Sequence, residues 1–148
     1  MCIRDRYYWG DIHLQNFGEK RGSQISPVKD AIDYGMKYTF HQDTPVIPPD
    51  MMRTISSAVN RISRGGRVIG ENQKISVLDA LKAVTIYAAY QYFEEHEKGS
   101  IECGKYADFV VLEKNPLKTP KEELAEIKVW MTIKENEVIY RSGEANHE

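Results

Sequence analysis

Tyr38-Thr39-Phe40-His41-Gln42-Asp43-Thr44-Pro45-Val46 is the stretch on which the fold turns. Lys37 to His41 reads as a short strand, and the run stops at a carboxylate and a proline. A carboxylate at the C-terminal tip of a buried strand is where a (β/α)8 barrel enzyme keeps its catalytic groups. On a strand, His41 and Asp43 lie two residues apart and point to the same side. Taken without any relative, Asp43 reads better as a strand-end residue capping the turn before a proline-rich loop.

Outward from this stretch, the elements before it are sparse. Tyr7-Tyr8-Trp9-Gly10-Asp11-Ile12-His13 reads as a strand end entering a loop, and the loop continues to Gln24 through Gly18 and Gly22. Ser26-Pro27 opens a short helix and Gly35 stops it. Beyond it, Pro45, Pro48 and Pro49 make a stiff connection with few backbone donors. Asp50 then caps a helix whose apolar positions are Met51, Met52, Ile55, Val59 and Ile62, ending at Gly65-Gly66. Ser76 and Asp79 form the Ser-x-x-Asp start of a second long helix, with Val77, Leu78, Leu81, Val84, Ala88 and Tyr92 as its buried face. After Gly99, Phe109-Val110-Val111-Leu112 reads as a strand buried on both faces. Pro120 to Ile127 fits a short helix. Ile127 to Lys134 alternates with period two, Asn136 fits a tight turn, and Val138-Ile139-Tyr140 fits the returning hairpin strand.

The bulk numbers describe a globular chain. It has 148 residues, 41% hydrophobic and 28% charged, the range of one ordinary domain. A net charge of -2 with no basic cluster argues against a nucleic-acid partner. No apolar run is long enough to span a membrane. Cys2 and Cys103 have neither metal-site spacing nor a disulfide framework. No secretory leader opens the chain, which favours the cytoplasm, although the native N-terminus is expected to be missing. Met1-Cys2-Ile3-Arg4-Asp5-Arg6 back-translates as ATG-TGT-ATA-AGA-GAC-AGR, the text of a transposase adapter from sequencing libraries. Residues 1–6 are therefore expected to be a foreign head and are excluded from the fold reading.

Three further segments join the Asp43 stretch in a pattern. They are Tyr7-Tyr8-Trp9-Gly10-Asp11, the helix from Ser26-Pro27 to Gly35, and the ordered run Lys98-Gly99-Ser100-Ile101-Glu102-Cys103-Gly104-Lys105-Tyr106-Ala107-Asp108-Phe109-Val110-Val111-Leu112. From about Tyr7 to Tyr140 the chain resembles the amidohydrolase superfamily, in particular its amidohydrolase 3 branch. The resemblance implies an α/β fold made of the C-terminal part of a (β/α)8 TIM-like barrel plus strands of a small β-sandwich domain. Residues 7–98 would close the barrel, 99–141 would return into the sandwich, and 142–148 would be a tail. It implies hydrolysis of a non-peptide amide or cyclic amide in a small molecule. A divalent metal, zinc by family habit, would polarise the carbonyl and activate the water.

By the same resemblance Asp43 is the metal ligand and the base that moves the proton of the attacking water. The His-x-His pair, the bridging group and the further histidines of the family pattern have no counterpart here. A catalytic zinc takes three protein ligands and an open position, so this segment alone is expected to be inactive. His41 would line the site or bond Asp43, or else be an ordinary packed strand histidine. Trp9, Asp11 and His13 would line the substrate pocket, against readings as core aromatic or surface loop residues. His96 and His147 sit among charges and read as solvated. Two rivals stay open: a stand-alone α/β binding or scaffold module without catalysis, and a related barrel enzyme such as a deaminase or phosphotriesterase-like hydrolase.

Overall fold

The computed structural model describes residues 2–143; the expected tail from 144 onward, with His147, lies outside them. Helices α1 (Asp5–Gly22), α2 (Val28–Asp33), α3 (Met51–Asn60), α4 (Val77–Ala83) and α5 (Ile86–Gln91) precede strands β1 (Phe109–Leu112), β2 (Val129–Lys134) and β3 (Glu137–Arg141). The strands form one antiparallel sheet in the order β1-β2-β3. The result is a helical body followed by a small sheet.

The core centres on α3. Asp50 caps it as the sequence predicts, its Oδ1 accepting from the Arg53 amide at 2.9 Å. Met52, Ile55, Ala58 and Val59 turn inward and pack with Val28, Ile75, Ala80, Ala83, Leu124 and Ile127. The helix stops at Arg61 in the left-handed region (φ 57), short of the predicted Gly65-Gly66 stop. That turn buries the Arg61 guanidinium completely. Nε donates to Ile69 O at 2.9 Å, Nη1 to Ser26 O at 3.0 Å and Nη2 to Ile25 O at 3.2 Å.

Ser76 Oγ accepts from the Asp79 amide at 3.1 Å, so the capping pair forms as predicted. The long helix expected after it splits in two at Thr85 (φ -127, ψ -98), whose hydroxyl donates back to Leu81 O at 2.8 Å. With the split the apolar stripe loses its register. Leu78 and Tyr92, expected inside, are 48% and 69% exposed, while Val77, Ala80, Ala83 and Ala89 are buried.

Two expectations fail together. The predicted strand Lys37–His41 forms no strand and belongs to no described sheet, and the predicted loop from Tyr7 to Gln24 is mostly helix α1, kinked at Gly18 (φ 75). Both follow from hydrogen-bond accounting. A barrel strand needs neighbours, and no described strand lies beside either segment. Backbone groups that find no ladder must bond locally or face water. Ser26 also differs from its reading: α2 starts at Val28 without a side-chain cap.

The sheet matches the alternation of β2, with Met131 buried and Trp130 46% exposed. β1 is an edge strand, half-buried and with Val110 exposed, rather than covered on both faces. The hairpin turns on Glu135 and Asn136, both at positive φ (49 and 70), the mirror-image turn that suits the strand twist. The predicted helix after Pro120 is a 3₁₀ turn, Lys121–Glu126, that lays Leu124 and Ile127 against the helical body. Asn60 Nδ2 donates to Lys121 O at 2.7 Å across that junction.

The Lys98–Leu112 run has a structural account. Gly99 (φ 93) lies so close to α5 that an added Cβ would sit 2.8 Å from Ala89 Cβ and 2.9 Å from Ile86 Cα. Lys105 Nζ donates to Glu95 O and to Ser100 Oγ, both at 2.6 Å, folding the loop onto itself.

Part of the segment read as foreign is packed inward, although Cys2 is exposed. Ile3, Arg4 and Arg6 are buried. Arg6 Nη1 donates to Gly22 O at 2.6 Å, but its Nε and Nη2, and the Nε of Arg4, have no partner. Burial, with Arg61 adding like-charge repulsion, lowers the Arg6 guanidinium to about 10.

Candidate functional site

Asp43 sits at a bend rather than at a strand tip. Its backbone is left-handed (φ 56), a conformation that Asp tolerates better than most residues. Its carbonyl accepts from the Val46 amide at 2.8 Å, closing a tight turn through the cis Thr44–Pro45 bond. Both Asp43 and His41 are exposed. The same-side geometry expected of strand neighbours has no strand to rest on, since residues 41–43 form none.

The neighbourhood of the bend is ionisable. His41 Nδ1 lies 3.4 Å from Cys2 Sγ. Asp5 stands within electrostatic reach of His13, His41 and Asp43. Burial is the largest influence and pushes its carboxyl up; His13 and His41 pull it down, and Asp43 pushes it up. Cys2 is likewise pushed up, first by burial and then by Asp5, with a smaller push from Asp43. Of the five residues singled out in the sequence, His13, His41 and Asp43 each act electrostatically on Asp5.

Trp9 and Asp11 do not join them. Trp9 is 43% exposed on α1. Asp11 Oδ2 accepts from the Gly65 amide at 3.3 Å, fixing the turn after α3. His13 is half-buried and packs its ring against Phe17 at 6.0 Å.

Sequence reading missed Gln42. It is only partly exposed, and its Oε1 accepts from the Asp50 amide at 2.7 Å and from Arg4 Nη1 at 2.8 Å. Its Nε2 lies 3.0 Å from Met51 Sδ. The available signal was a long amide side chain beside the carboxylate, followed by a loop with three prolines and an N-cap aspartate. Among the described residues, no three His, Cys, Asp or Glu side chains gather closely enough to hold a metal ion. What the arrangement offers is a solvent-facing carboxylate and imidazole two residues apart, on a loop tied to a buried helix.

The family profile described as "Amidohydrolase family" matches residues 2–140. The chain belongs to the amidohydrolase family. The match includes the elements read as the amidohydrolase 3 branch, the Asp43 stretch and the Lys98–Leu112 run. This amidohydrolase chain is 28% identical over 137 residues to the N-substituted formamide deformylase of Arthrobacter pascens, covering 91% of this chain and 25% of that protein. To YtcJ of Bacillus subtilis (strain 168) it is 27% identical over 133 residues, covering 88% and 25%. A crystal structure of an amidohydrolase from Thermotoga maritima superposes with a TM-score of 0.56 at 22% identity, over 77% of this chain and 25% of that one. The chain spans about a quarter of the length of the curated relatives it matches.

Among the described residues, no helix is long and apolar enough to cross a membrane.

Proposed function

We propose that this chain is the C-terminal part of a metal-dependent hydrolase that cleaves non-peptide carbon–nitrogen bonds in small molecules, amides or cyclic amides. N-substituted formamides, which the Arthrobacter relative's name designates, are the first class to test. On this reading Asp43 takes the proton of the attacking water and delivers it to the leaving nitrogen. His41 and His13 line the approach. The described residues alone do not make a centre for the divalent metal, zinc by resemblance, that this reading assigns to the whole enzyme. On this reading turnover needs the rest of the enzyme.

The observation that carries the proposal is the coincidence of two facts. The profile matches nearly the whole chain, and the relatives are about four times as long. In the same reading α2 to α5 are the closing helices of a (β/α)8 barrel, the Asp43 stretch would pair as its last strand only beside strands supplied by the rest of the enzyme, and β1–β3 are the returning strands of a small β-sandwich. The open edges of β1 and β3 support it. The foreign origin read for the first six residues is supported by the unpartnered buried nitrogens of Arg4 and Arg6 and opposed by the profile match, which begins at residue 2.

The test is hydrolysis of an N-substituted formamide by the intact enzyme, followed as amine release, with and without Asp43→Asn. Loss of turnover in the Asn variant is expected, about a thousandfold from the removal of a catalytic base. Undiminished turnover would overturn the proposal.

A further inference from the structure

The loop that carries Asp43 runs from the bend to the start of α3, and one side chain spans it. We propose that Gln42 is a positioning residue for Asp43, latching the 43–49 loop to the N-terminus of α3. The inference rests on the hydrolase reading for the purpose of the latch, but not for its existence.

Three observations carry it. First, Gln42 Oε1 accepts from the Asp50 amide at 2.7 Å, a contact between residues eight apart that closes the loop at its far end. Second, that far end is rigid. Asp50 holds the first turn of α3 through the Arg53 amide, and Ile55 and Val59 below it are 1% and 2% exposed. Third, the near end needs holding. Asp43 is exposed, its backbone is left-handed, and the one loop bond that the turn supplies is from the Val46 amide to its own carbonyl. A carboxylate on so short a turn points where its neighbours are fixed, and catalytic groups work only within narrow tolerances of position.

The latch does not depend on the N-terminal hexapeptide. Arg4 Nη1 also reaches Gln42 Oε1 and Pro48 O, but the Asp50 contact is made by Gln42 and Asp50 themselves and needs no residue of the hexapeptide. Glutamate at position 42 keeps an acceptor at the same reach, whereas leucine keeps the size and removes the acceptor. The pair separates the hydrogen bond from the packing.

Amide hydrogen exchange by NMR on the 148-residue chain reads the latch directly. In Gln42→Leu the Asp50 amide is expected to exchange about tenfold faster, the scale of one lost hydrogen bond. The Ile55 and Val59 amides and the melting temperature stay at parental values, and Gln42→Glu restores Asp50 protection. Unchanged Asp50 exchange overturns the proposal. So does a uniform rise across α3 with a lower melting temperature, which marks a merely structural side chain. In the intact enzyme Gln42→Leu is expected to lower kcat about tenfold at unchanged KM, with Gln42→Glu recovering it. Parental kcat in Gln42→Leu overturns the positioning role. Parental turnover in Asp43→Asn overturns the hydrolase reading instead, and leaves the latch to be decided by exchange.

Discussion

Asp108 Oδ1 accepts the backbone N–H of Glu135 at 2.8 Å, so the residue just before β1 closes the turn between β2 and β3. Asn136 N–H donates to Ala107 O at 3.1 Å beside it. The end of the Lys98–Leu112 run is thereby a clasp for the hairpin. Asp108→Ala is expected to destabilise the chain by about 1 kcal/mol, the usual scale for one such bond at an exposed position. Asp108→Asn retains the acceptor and most of the stability. Urea midpoints of the two variants decide, and equal loss in both would show that charge rather than the bond matters.

Gly99 is a second fixed point of the same run. Its positive φ strains any L side chain, and a Cβ there would collide with α5 backbone. Gly99→Ala is expected to lower stability by about 2 kcal/mol or more. Gly104, also at positive φ but with open space around its Cβ position, is the control and loses about 1 kcal/mol. Thermal melts of both variants check the order.

The Arg6 guanidinium is buried with two unpartnered nitrogens. Arg6→Met is expected to stabilise the fold by about 1–2 kcal/mol at neutral pH, as apolar replacements of buried ions commonly do. The pH dependence follows from the lowered value. Arg6 holds its proton below about 10 when folded and up to the higher, ordinary guanidinium value when unfolded. The unfolded chain therefore binds more protons between those values, and stability from this group rises with pH across that window. The Met variant lacks the rise, so its advantage narrows above pH 10. Denaturation midpoints of parent and variant from pH 7 to 11 measure it.

Tyr38 works in the opposite direction. Burial, then Asp79 and Tyr87, push its phenol well above the ordinary range. Its folded-state value is raised, so the stability it contributes is present below about pH 10 and is lost as pH climbs past that point. Tyr38→Phe is expected to flatten this alkaline fall, at the loss of the hydroxyl's bond to Asp79 O at 3.3 Å. An alkaline stability profile as steep as the parent's would refute the assignment.

At Asp43, backbone and chemistry can be separated. Ala in the left-handed region costs about 1 kcal/mol, Gly costs none, and Asn is tolerated. Asp43→Ala should therefore lower the melting temperature while Asp43→Asn leaves it near the parental value, as differential scanning fluorimetry can show.

What the sequence disclosed was whatever is decided locally. The Asp50 and Ser76 caps, the Met52, Ile55 and Val59 part of the α3 stripe and the β2–β3 hairpin depend on residues a few positions apart and appear as read, whereas Met51 and Ile62 at the ends of the stripe are exposed. The split at Thr85 escaped notice because a side-chain bond to the preceding turn leaves no mark on apolar periodicity. Lys37–His41 was misread as a strand for a different reason. Its composition suits a sheet, but a strand is a relation between segments, and the described residues provide none beside it. Tyr7 to Gly22 shows the converse, a stretch poor in helix signals that nevertheless bonds to itself. His41 and Asp43 were legible as a pair of chemical groups; their geometry, and Gln42 as the side chain between them, were not.

Arg61 stitches two other stretches to its own, reaching the adjacent Ile25 and Ser26 and, separately, Ile69 with one planar fork. An ammonium group is a point donor and cannot match three carbonyls set around a plane. Position 61 should therefore reject even lysine, and in a saturation library it would score with the innermost aliphatics, although arginine is ordinarily a residue of the surface.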